Sequence, residues 1–188
     1  MNFYEFDWLR EPTRGVLAAL SQEMRHLERK LDAALQLYDR DDGLSTIDSV
    51  IGVAFVLGQV YITSVVAAAR KLSPPATKVS KQELVRVHNQ VLPGREVFKI
   101  ELCDAMANYY KHREEWAGAD KAGRHQATLK VMSRAGIELM GGIACMDAME
   151  LLFPDTDSYS FSPLFSLLVN WRDAVIQEIV ANRERPSA

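Results

Sequence analysis

The stretch from Val50 to Ala69 limits the folds open to this chain more than any other segment does. It is almost entirely apolar, is followed by two basic residues, and is long enough to cross a bilayer as a helix. However, Gln59, Thr63 and Ser64 lie near its middle, and the remainder of the chain is strongly amphipathic. A helix that is apolar on all sides is also what the centre of a helical bundle requires. We therefore expect a buried central helix and no contact with a membrane.

The segment before this stretch has the periodicity of a long packed helix. We predict that the helix begins after Thr13 and ends before the turn-forming sequence Asp41–Gly43. Ser45–Asp48 resembles a capping box and is predicted to open the central helix. Residues 1–12 then form an N-terminal extension. The apolar residues that define the helix recur in alternating steps of three and four, at Leu17, Leu20, Met24, Leu27, Leu31, Ala34 and Tyr38.

Prolines, glycines and capping residues divide the rest of the chain into shorter helices. A capping box at Ser80–Glu83 starts a short helix that stops at Pro93-Gly94. Residues 154–162 are expected to form a loop before the last helix. The other predicted helices run from about Arg95 to Trp116, from about Asp120 to Arg134, up to Phe153, and from Ser162-Pro163 onward, with breaks at Gly136 and at Gly141-Gly142.

These elements predict an all-α fold. The alternating, β-branched runs that are typical of strands are missing. A chain of 188 residues is long enough for one core and too short to require two. We expect a single domain over residues 1–188, a bundle of about six helices with the apolar helix buried at its centre.

The overall charge argues against a nucleic-acid-binding surface spread over the whole protein. The formal net charge is -3 and the pI is near 5.8, so an acidic partner has to be met by a local basic surface. Two interpretations stay open for the basic residues that follow position 110: a local anion-binding strip, or a mixed solvated surface interrupted by acidic residues. These basic residues are Lys111, Arg113, Lys121, Arg124, Lys130 and Arg134.

The sequence holds no pattern that predicts a metal, a cofactor or export. The N-terminus is acidic and aromatic and lacks the basic start and apolar stretch of a secretory signal. Cys103 and Cys145 have no paired spacing, and the histidines show no repeated metal-ligand spacing. We expect a cytoplasmic protein without a bound metal or cofactor.

Residues 108–116 interleave aromatic and ionisable side chains more densely than an ordinary helix surface does. In a functional interpretation, His112 acts as a general acid or base and Asn108 orients a substrate. The alternative is a boundary helix whose charged side chains are simply solvated. At about 100° per residue, the polar ridge is Glu101, Asp104, Asn108, His112 and Glu115, and the apolar stripe beside it is Phe98, Leu102, Ala105, Tyr109 and Trp116. The candidate binding residues are Tyr109, Tyr110, Lys111, Arg113, Glu115 and Trp116.

The pattern Asn108-x-x-x-His112, on a helix of an all-α chain, resembles the motif of the HEPN superfamily, in which Arg-Asn-x-x-x-His is a frequent form. The resemblance implies a helical bundle, often dimeric, in which the motifs of two protomers meet. In that family they form a metal-independent ribonuclease site, used in toxins and antiviral defence. Asn108 and His112 match two of the three positions, and Ala107 occupies the third. Without the guanidinium that helps to stabilise phosphate charge, the resemblance points to a non-catalytic relative.

Two functions follow from the sequence. The first is a non-catalytic helical interaction protein, a HEPN-like component of a bacterial toxin-neutralising or defence system, that binds a protein partner or forms a homodimer. The second is a metal-independent ribonuclease that uses His112 as general acid or base, with RNA as its substrate. Ala107 and the aromatic and arginine content of the patch favour the first function.

Overall fold

In the part of the chain that the structure describes, the regular secondary structure is helical apart from one isolated β-bridge. The computed structural model describes residues 8–33, 37–73, 79–88, 90–113, 122–138, 143–156 and 160–184. Within them, the one isolated antiparallel bridge joins Val91 and Phe98. The predicted all-α class is confirmed, with seven helices described where about six were expected. They are α1 (Arg10–Ala33), α2 (Leu37–Leu72), α3 (Lys81–Val87), α4 (Lys99–His112), α5 (Ala122–Ala135), α6 (Ala144–Leu152) and α7 (Ser162–Glu184).

The predicted central helix is α2, which packs against α1, α4, α6 and α7. Phe55, Ile62 and Ala69 of α2 are completely buried. By length and composition alone α2 is able to cross a membrane, yet 56% of its most apolar stretch is buried inside the bundle. Each Å² of apolar surface removed from water contributes roughly 25 cal/mol to the stability of the fold. Packing of the neighbouring helices against this apolar helix therefore stabilises the bundle. The prediction of a buried apolar helix at the centre of a bundle is confirmed.

The boundary between α1 and α2 differs from the prediction. α1 begins at Arg10, within the predicted extension, and α2 runs through Asp41–Gly43, where a turn was expected. Gly43 makes a packing contact instead, because a Cβ atom there would lie 2.8 Å from Leu31 Cδ1 of α1. The turn prediction was wrong because glycine has two roles. It is common at helix ends, and it also lets two packed helices approach closely.

The capping box predicted at Ser45 is also wrong, because this residue lies inside α2. The hydroxyl group of Thr46 donates to the carbonyl oxygen of Asp42 at 2.8 Å. That of Ser49 donates to the carbonyl oxygen of Ser45 at 2.9 Å. Such bonds to the preceding turn are what hydroxyl side chains make in a helix interior.

Asp48, the last residue of that supposed box, caps a different helix. Its Oδ1 accepts the backbone N–H groups of Cys145 at 2.8 Å and of Met146 at 3.0 Å, at the start of α6. The first N–H groups of a helix have no partner within it, so α2 supplies the acceptor that α6 lacks. Asp48 is only 3% exposed. Burial raises the pKa of its carboxyl group, and the two N–H donors and the charge of Arg113 offset part of this effect.

Several helix ends agree with the prediction because their signals are local. The Ser80 hydroxyl accepts the Glu83 N–H, and the Glu83 carboxylate accepts the Ser80 N–H, both at 3.1 Å. The Ser80 hydroxyl also donates to the Glu83 carboxylate at 2.7 Å, and this bond, together with that from the Ser80 N–H, holds the pKa of Glu83 below its ordinary value. α5 ends at Ala135, before Gly136 with φ of +73°, and α7 begins at Ser162. The expected break at 141–142 lies outside the described residues.

α4 starts later than predicted, at Lys99 rather than near Arg95. The preceding residues fold back in a turn that contains Gly94, whose φ is +69°. In this turn the N–H of Leu92 donates to the carbonyl oxygen of Val97 at 2.8 Å. The Pro-Gly signal therefore lies within a turn that takes up the residues we expected to begin the next helix.

Two substitutions of Asp48 separate its hydrogen-bonding role from its charge. Asp48→Ala leaves two N–H groups at the start of α6 without an acceptor, so we expect the free energy of unfolding to fall by about 1–3 kcal/mol. Asp48→Asn keeps an acceptor oxygen and is expected to retain most of the stability at neutral pH. Urea denaturation followed by circular dichroism measures both. Equal losses in the two variants would contradict the capping role.

The charge of Asp48 predicts a pH dependence with a definite sign. Because burial raises its pKa above the ordinary value of 3.8, the folded protein holds this proton more tightly than the unfolded chain does. The contribution of Asp48 to stability is therefore fully present at low pH and decreases as pH rises from 3.8 through the folded pKa. Asp48→Asn lacks this pH-dependent contribution to stability, because an amide side chain does not ionise. The wild type should lose stability relative to Asp48→Asn across that range, and the opposite slope would refute the assignment.

Candidate functional site

α4 places the predicted site residues at the edge of the bundle core. It packs against α2 and α5, and Leu102 on its inner face is completely buried. Glu101 is buried, whereas Asp104, Asn108 and His112 are half-buried. The polar ridge deduced from helical periodicity therefore follows the margin of the core, between the packed face and the solvent.

Gln59 of α2 is the centre of a hydrogen-bond network on this margin. Its Nε2 donates to Asp104 Oδ1 at 2.7 Å and to Asn108 Oδ1 at 3.0 Å. Its Oε1 accepts a hydrogen bond from Lys111 Nζ at 2.5 Å. Gln59 is only 8% exposed, and a buried polar group left unpaired costs about 1–3 kcal/mol. The network satisfies this amide and ties α2 to α4.

The same network determines which way each amide faces. Lys111 can only donate, so Gln59 must present its oxygen to Lys111 and its nitrogen to the two acceptors on α4. Asn108 must then present Oδ1 to Gln59, which leaves its own N–H groups for another acceptor. Lys81 of α3 also donates to Asp104 Oδ1, at 2.5 Å. Asn108 is thus a hydrogen-bond donor toward whatever lies outside the network.

Glu101 organises a second charged cluster, nearly one helical turn before Asp104. Its Oε1 accepts from Arg86 Nη2 of α3 at 2.7 Å and from Arg134 Nη2 of α5 at 2.9 Å. Bonds between a carboxylate and a guanidinium group are among the stronger hydrogen bonds in proteins. One carboxylate here faces two guanidinium groups, so the cluster keeps one positive charge in excess and links three helices.

Members of both clusters line a groove of about 680 Å³, which we call the basic groove, between the end of α2 and the helices α3, α4 and α5. Asn108 also lines this groove, whereas His112 does not. The five cations outnumber the two carboxylates by three, so the groove is positively charged in an acidic protein. The charged lining consists of Arg70, Lys81, Arg86, Lys130 and Arg134, with Glu101 and Asp104.

His112 lies beside a second imidazole. The ring centroids of His112 and His125 of α5 are 5.0 Å apart, and the ring planes are inclined by 34°. Both residues are half-buried. The fold therefore brings together the predicted acid–base residue and a histidine to which the sequence assigned no role.

The aromatic residues of the predicted patch are used partly for packing. Tyr110 lies against Gly52 of α2, where a Cβ atom would come within 2.0 Å of the Tyr110 ring. The guanidinium carbon of Arg113 lies 4.7 Å from the centre of that ring, within the range of a cation–π contact. Nη1 of Arg113 is 3.5 Å from Ser49 Oγ. Tyr109 is half-buried and packs against the core, so these predicted binding residues each have one side inside the bundle.

The structure describes Ala107 of the motif but not Glu115 and Trp116 of the patch. Ala107, which stands where the HEPN motif has arginine, is completely buried. A guanidinium group at this position would enter the core, where a charge without a partner is costly. Glu115 and Trp116 lie outside the described residues, so their binding roles stay predictions.

The two thiols are poorly suited to nucleophilic chemistry. Burial raises the pKa of both the Cys103 and the Cys145 thiol above its ordinary value, and the thiol form is the weak nucleophile. The nearby carboxylate of Asp48 adds to this effect at Cys145. Within the described part of the chain, no three His, Cys, Asp or Glu side chains come together as a metal site. The chemistry that this margin offers is that of cations, amides and imidazoles.

The sequence did not reveal most partners of the polar ridge. Gln59 was weighed only as a polar interruption of an apolar stretch, yet a single amide within such a stretch signals a buried group that needs partners. Lys81 and Arg86 gave no comparable signal, because only the fold brings α3 beside α4. Lys130 and Arg134, from the predicted anion-binding strip, do line the basic groove.

Gly52→Ala tests the packing contact between the Tyr110 ring and α2. The added Cβ would lie within 2.0 Å of the ring, so we expect a shift of the ring and a loss of about 1–3 kcal/mol in the free energy of unfolding. Gly15→Ala is the matched control, because nothing lies within 4 Å of its Cβ position on α1. That control should gain roughly 0.5–1 kcal/mol from helix propensity. Thermal denaturation compares the two, and equal stabilities would contradict the contact.

No protein-family model, no curated protein and no solved structure matches the chain. The resemblance of Asn108 and His112 to the HEPN motif therefore stays a prediction from the sequence.

Proposed function

We propose that this protein is a non-catalytic helical interaction protein that binds its partner through an exposed apolar face of α2. The observation that carries the proposal is a pair of valines left uncovered on the central apolar helix of the bundle. Val53 is 42% exposed and Val60 is 50% exposed. A contiguous apolar surface on a folded protein is typical of an interaction site.

The two valines belong to a row that continues along α2 with helical spacing. Val53, Val60 and Ala67 are seven residues apart, and Val56 and Thr63 lie between them on the same side of the helix. We call these five residues the valine strip. All of them are exposed except Val56, which is half-buried. The strip is therefore several helical turns long.

Trp8 forms a wall beside the second half of the strip. It is 61% exposed, and its Nε1 donates to Ser64 Oγ at 3.1 Å. Together with Val60 and Ala67 it lines a shallow groove of about 460 Å³. Tryptophan is enriched among the residues that carry most of the binding energy in interfaces, so we infer that Trp8 is the anchor of this surface.

An amphipathic helix is the partner element that fits the strip. Apolar residues spaced seven apart present a continuous seam to a helix that lies alongside. The small side chains of Thr63 and Ala67 allow that helix to approach closely. The partner helix belongs either to another protein or to a second copy of this chain, as in a homodimer.

The biological setting that we propose is a HEPN-like component of a bacterial toxin-neutralising or defence system. The spacing of Asn108 and His112 supports this setting. Ala107, in place of arginine, supports the non-catalytic form. The acidic net charge of -3 is also more typical of a protein that binds proteins than of one that binds RNA over a wide surface.

Site-specific photo-crosslinking in the source cells tests the proposal. A benzophenone amino acid at position 60 should give a defined adduct, because the side chain faces the partner. At position 16 it should give none if the strip alone binds the partner, since Val16 is 46% exposed and lies on α1, outside the strip. Val53→Asp should abolish the adduct at position 60. Mass spectrometry of the adduct distinguishes another protein from a second copy.

The proposal fails if position 60 gives no adduct, or if position 16 gives the same one. Val16→Asp is the matched control for Val53→Asp, because it places the same charge at another exposed valine. Circular dichroism of both variants establishes that the fold is kept.

A metal-independent ribonuclease is the second candidate, and one observation favours it. The rings of His112 and His125 lie 5.0 Å apart. Two imidazoles at such a distance are able to act as general base and general acid in one phosphodiester cleavage. Asn108, one turn before His112, would orient the substrate.

RNA cleavage in the presence of EDTA tests this candidate. If it holds, His112→Ala and His125→Ala each lower the rate by about 10²–10⁴-fold. His26→Ala, at an exposed histidine of α1, should leave the rate unchanged. RNAs of varied sequence that stay intact with the wild-type protein would exclude the enzyme.

A further inference from the structure

The basic groove carries charge that its own ion pairs do not neutralise. Glu101 and Asp104 are its two carboxylates, and they pair with three of its five cations. Among the described residues, Arg70 and Lys130 have no carboxylate partner. Arg70 Nε donates to the uncharged carbonyl oxygen of Val79 at 2.9 Å. An excess of three positive charges therefore faces the solvent in a chain of formal net charge -3.

An uncharged donor adds to this positive lining. Asn108 Oδ1 is occupied by the Gln59 amide at 3.0 Å. The N–H groups of Asn108 are the part of its side chain left for a ligand in the groove. Cationic groups together with an oriented amide donor are the groups that recognise carboxylate and phosphate oxygens.

The other lining residues favour a peptide over a nucleic acid. The groove is open to solvent, and its apolar lining consists of small side chains such as Val85, Ala105 and Val131. None of the described residues that line it is aromatic, so a base would have no ring to stack on. A nucleic acid that extended beyond the groove would also meet the negative charge of the remaining surface. A short acidic segment avoids both difficulties.

We propose that the basic groove binds an acidic peptide segment of a protein partner. Carboxylates of the segment pair with Arg70 and Lys130, and Asn108 donates to one of their oxygens. Arg86 and Arg134 are shared between the segment and Glu101. This inference rests on the proposed function only in that the ligand is part of a protein, because the groove and the valine strip have no lining residue in common.

Fluorescence anisotropy with a synthetic peptide tests the inference. The probe is a fluorescein-labelled, capped peptide of alternating Glu and Ala, about as long as a groove of this size accommodates. We expect saturable binding that weakens as salt is raised, because screening reduces attraction between exposed charges. The same peptide with Gln in place of Glu should not bind.

Charge-reversal variants locate the binding to the groove. Arg70→Glu and Lys130→Glu are each expected to weaken binding roughly three- to tenfold. Lys30→Glu makes the same change at an exposed position of α1 outside the groove and should have no effect. Asn108→Asp keeps an acceptor for Gln59 but replaces the donor with a negative charge, so it should also weaken binding. Circular dichroism checks that each variant is folded.

Three results would overturn the inference. The first is no binding of the Glu-Ala peptide to the wild-type protein. The second is equal affinity in Lys130→Glu and Lys30→Glu. The third is tighter binding of inorganic pyrophosphate, or of a single-stranded RNA of similar length, than of the peptide. Crosslinking at position 60 reports on the valine strip alone, so either proposal can fail while the other stands.

Discussion

Burial of α2 is the constraint on which the rest of the structure depends. Its apolar side chains occur on most of its faces, so several helices must cover it, and α1, α4, α6 and α7 do so. Apolar contacts are not directional, and by themselves they leave the rotation of each neighbour open. Two polar side chains of α2 supply direction: Gln59 bonds to α4 and Asp48 to the start of α6. One helix thus provides both the core and the hydrogen bonds that orient its neighbours.

Structural features set by adjacent residues could be predicted from the sequence, whereas those set by distant residues could not. Ser80 and Glu83 form their capping box within one turn, so the pattern is sufficient. Gly43 looks like a helix stop, but its contact with Leu31 belongs to the packing of two helices. Asp48 has the spacing of a local cap, yet the N–H group that it accepts lies 97 residues away. Spacing alone does not distinguish a side chain that serves its own helix from one that serves another.

The same distinction applies to the candidate site. Asn108 could be placed at the margin of a helix from periodicity, and the structure finds it there. Its partner Gln59 and the neighbour of His112 come from other helices, so no local pattern could name them. The basic groove was hidden for a further reason. Net charge averages over the whole surface, and five cations drawn from three helices leave no run in the sequence.

For the ligand that we propose for the basic groove, Glu101 sets a dependence of binding on the number of carboxylates that the ligand carries. Its carboxylate oxygen already holds guanidinium groups from α3 and α5, so an entering anion competes with an internal one. At Arg86 or Arg134 a single carboxylate exchanges one such pair for another with little net gain, and at Arg70 or Lys130 it forms one exposed pair that contributes about 0–1 kcal/mol. Several carboxylates on one chain reach Arg70 and Lys130 as well, and each later contact forms at high effective concentration. If the groove binds anions as we propose, this internal competitor favours several linked carboxylates over isolated ones.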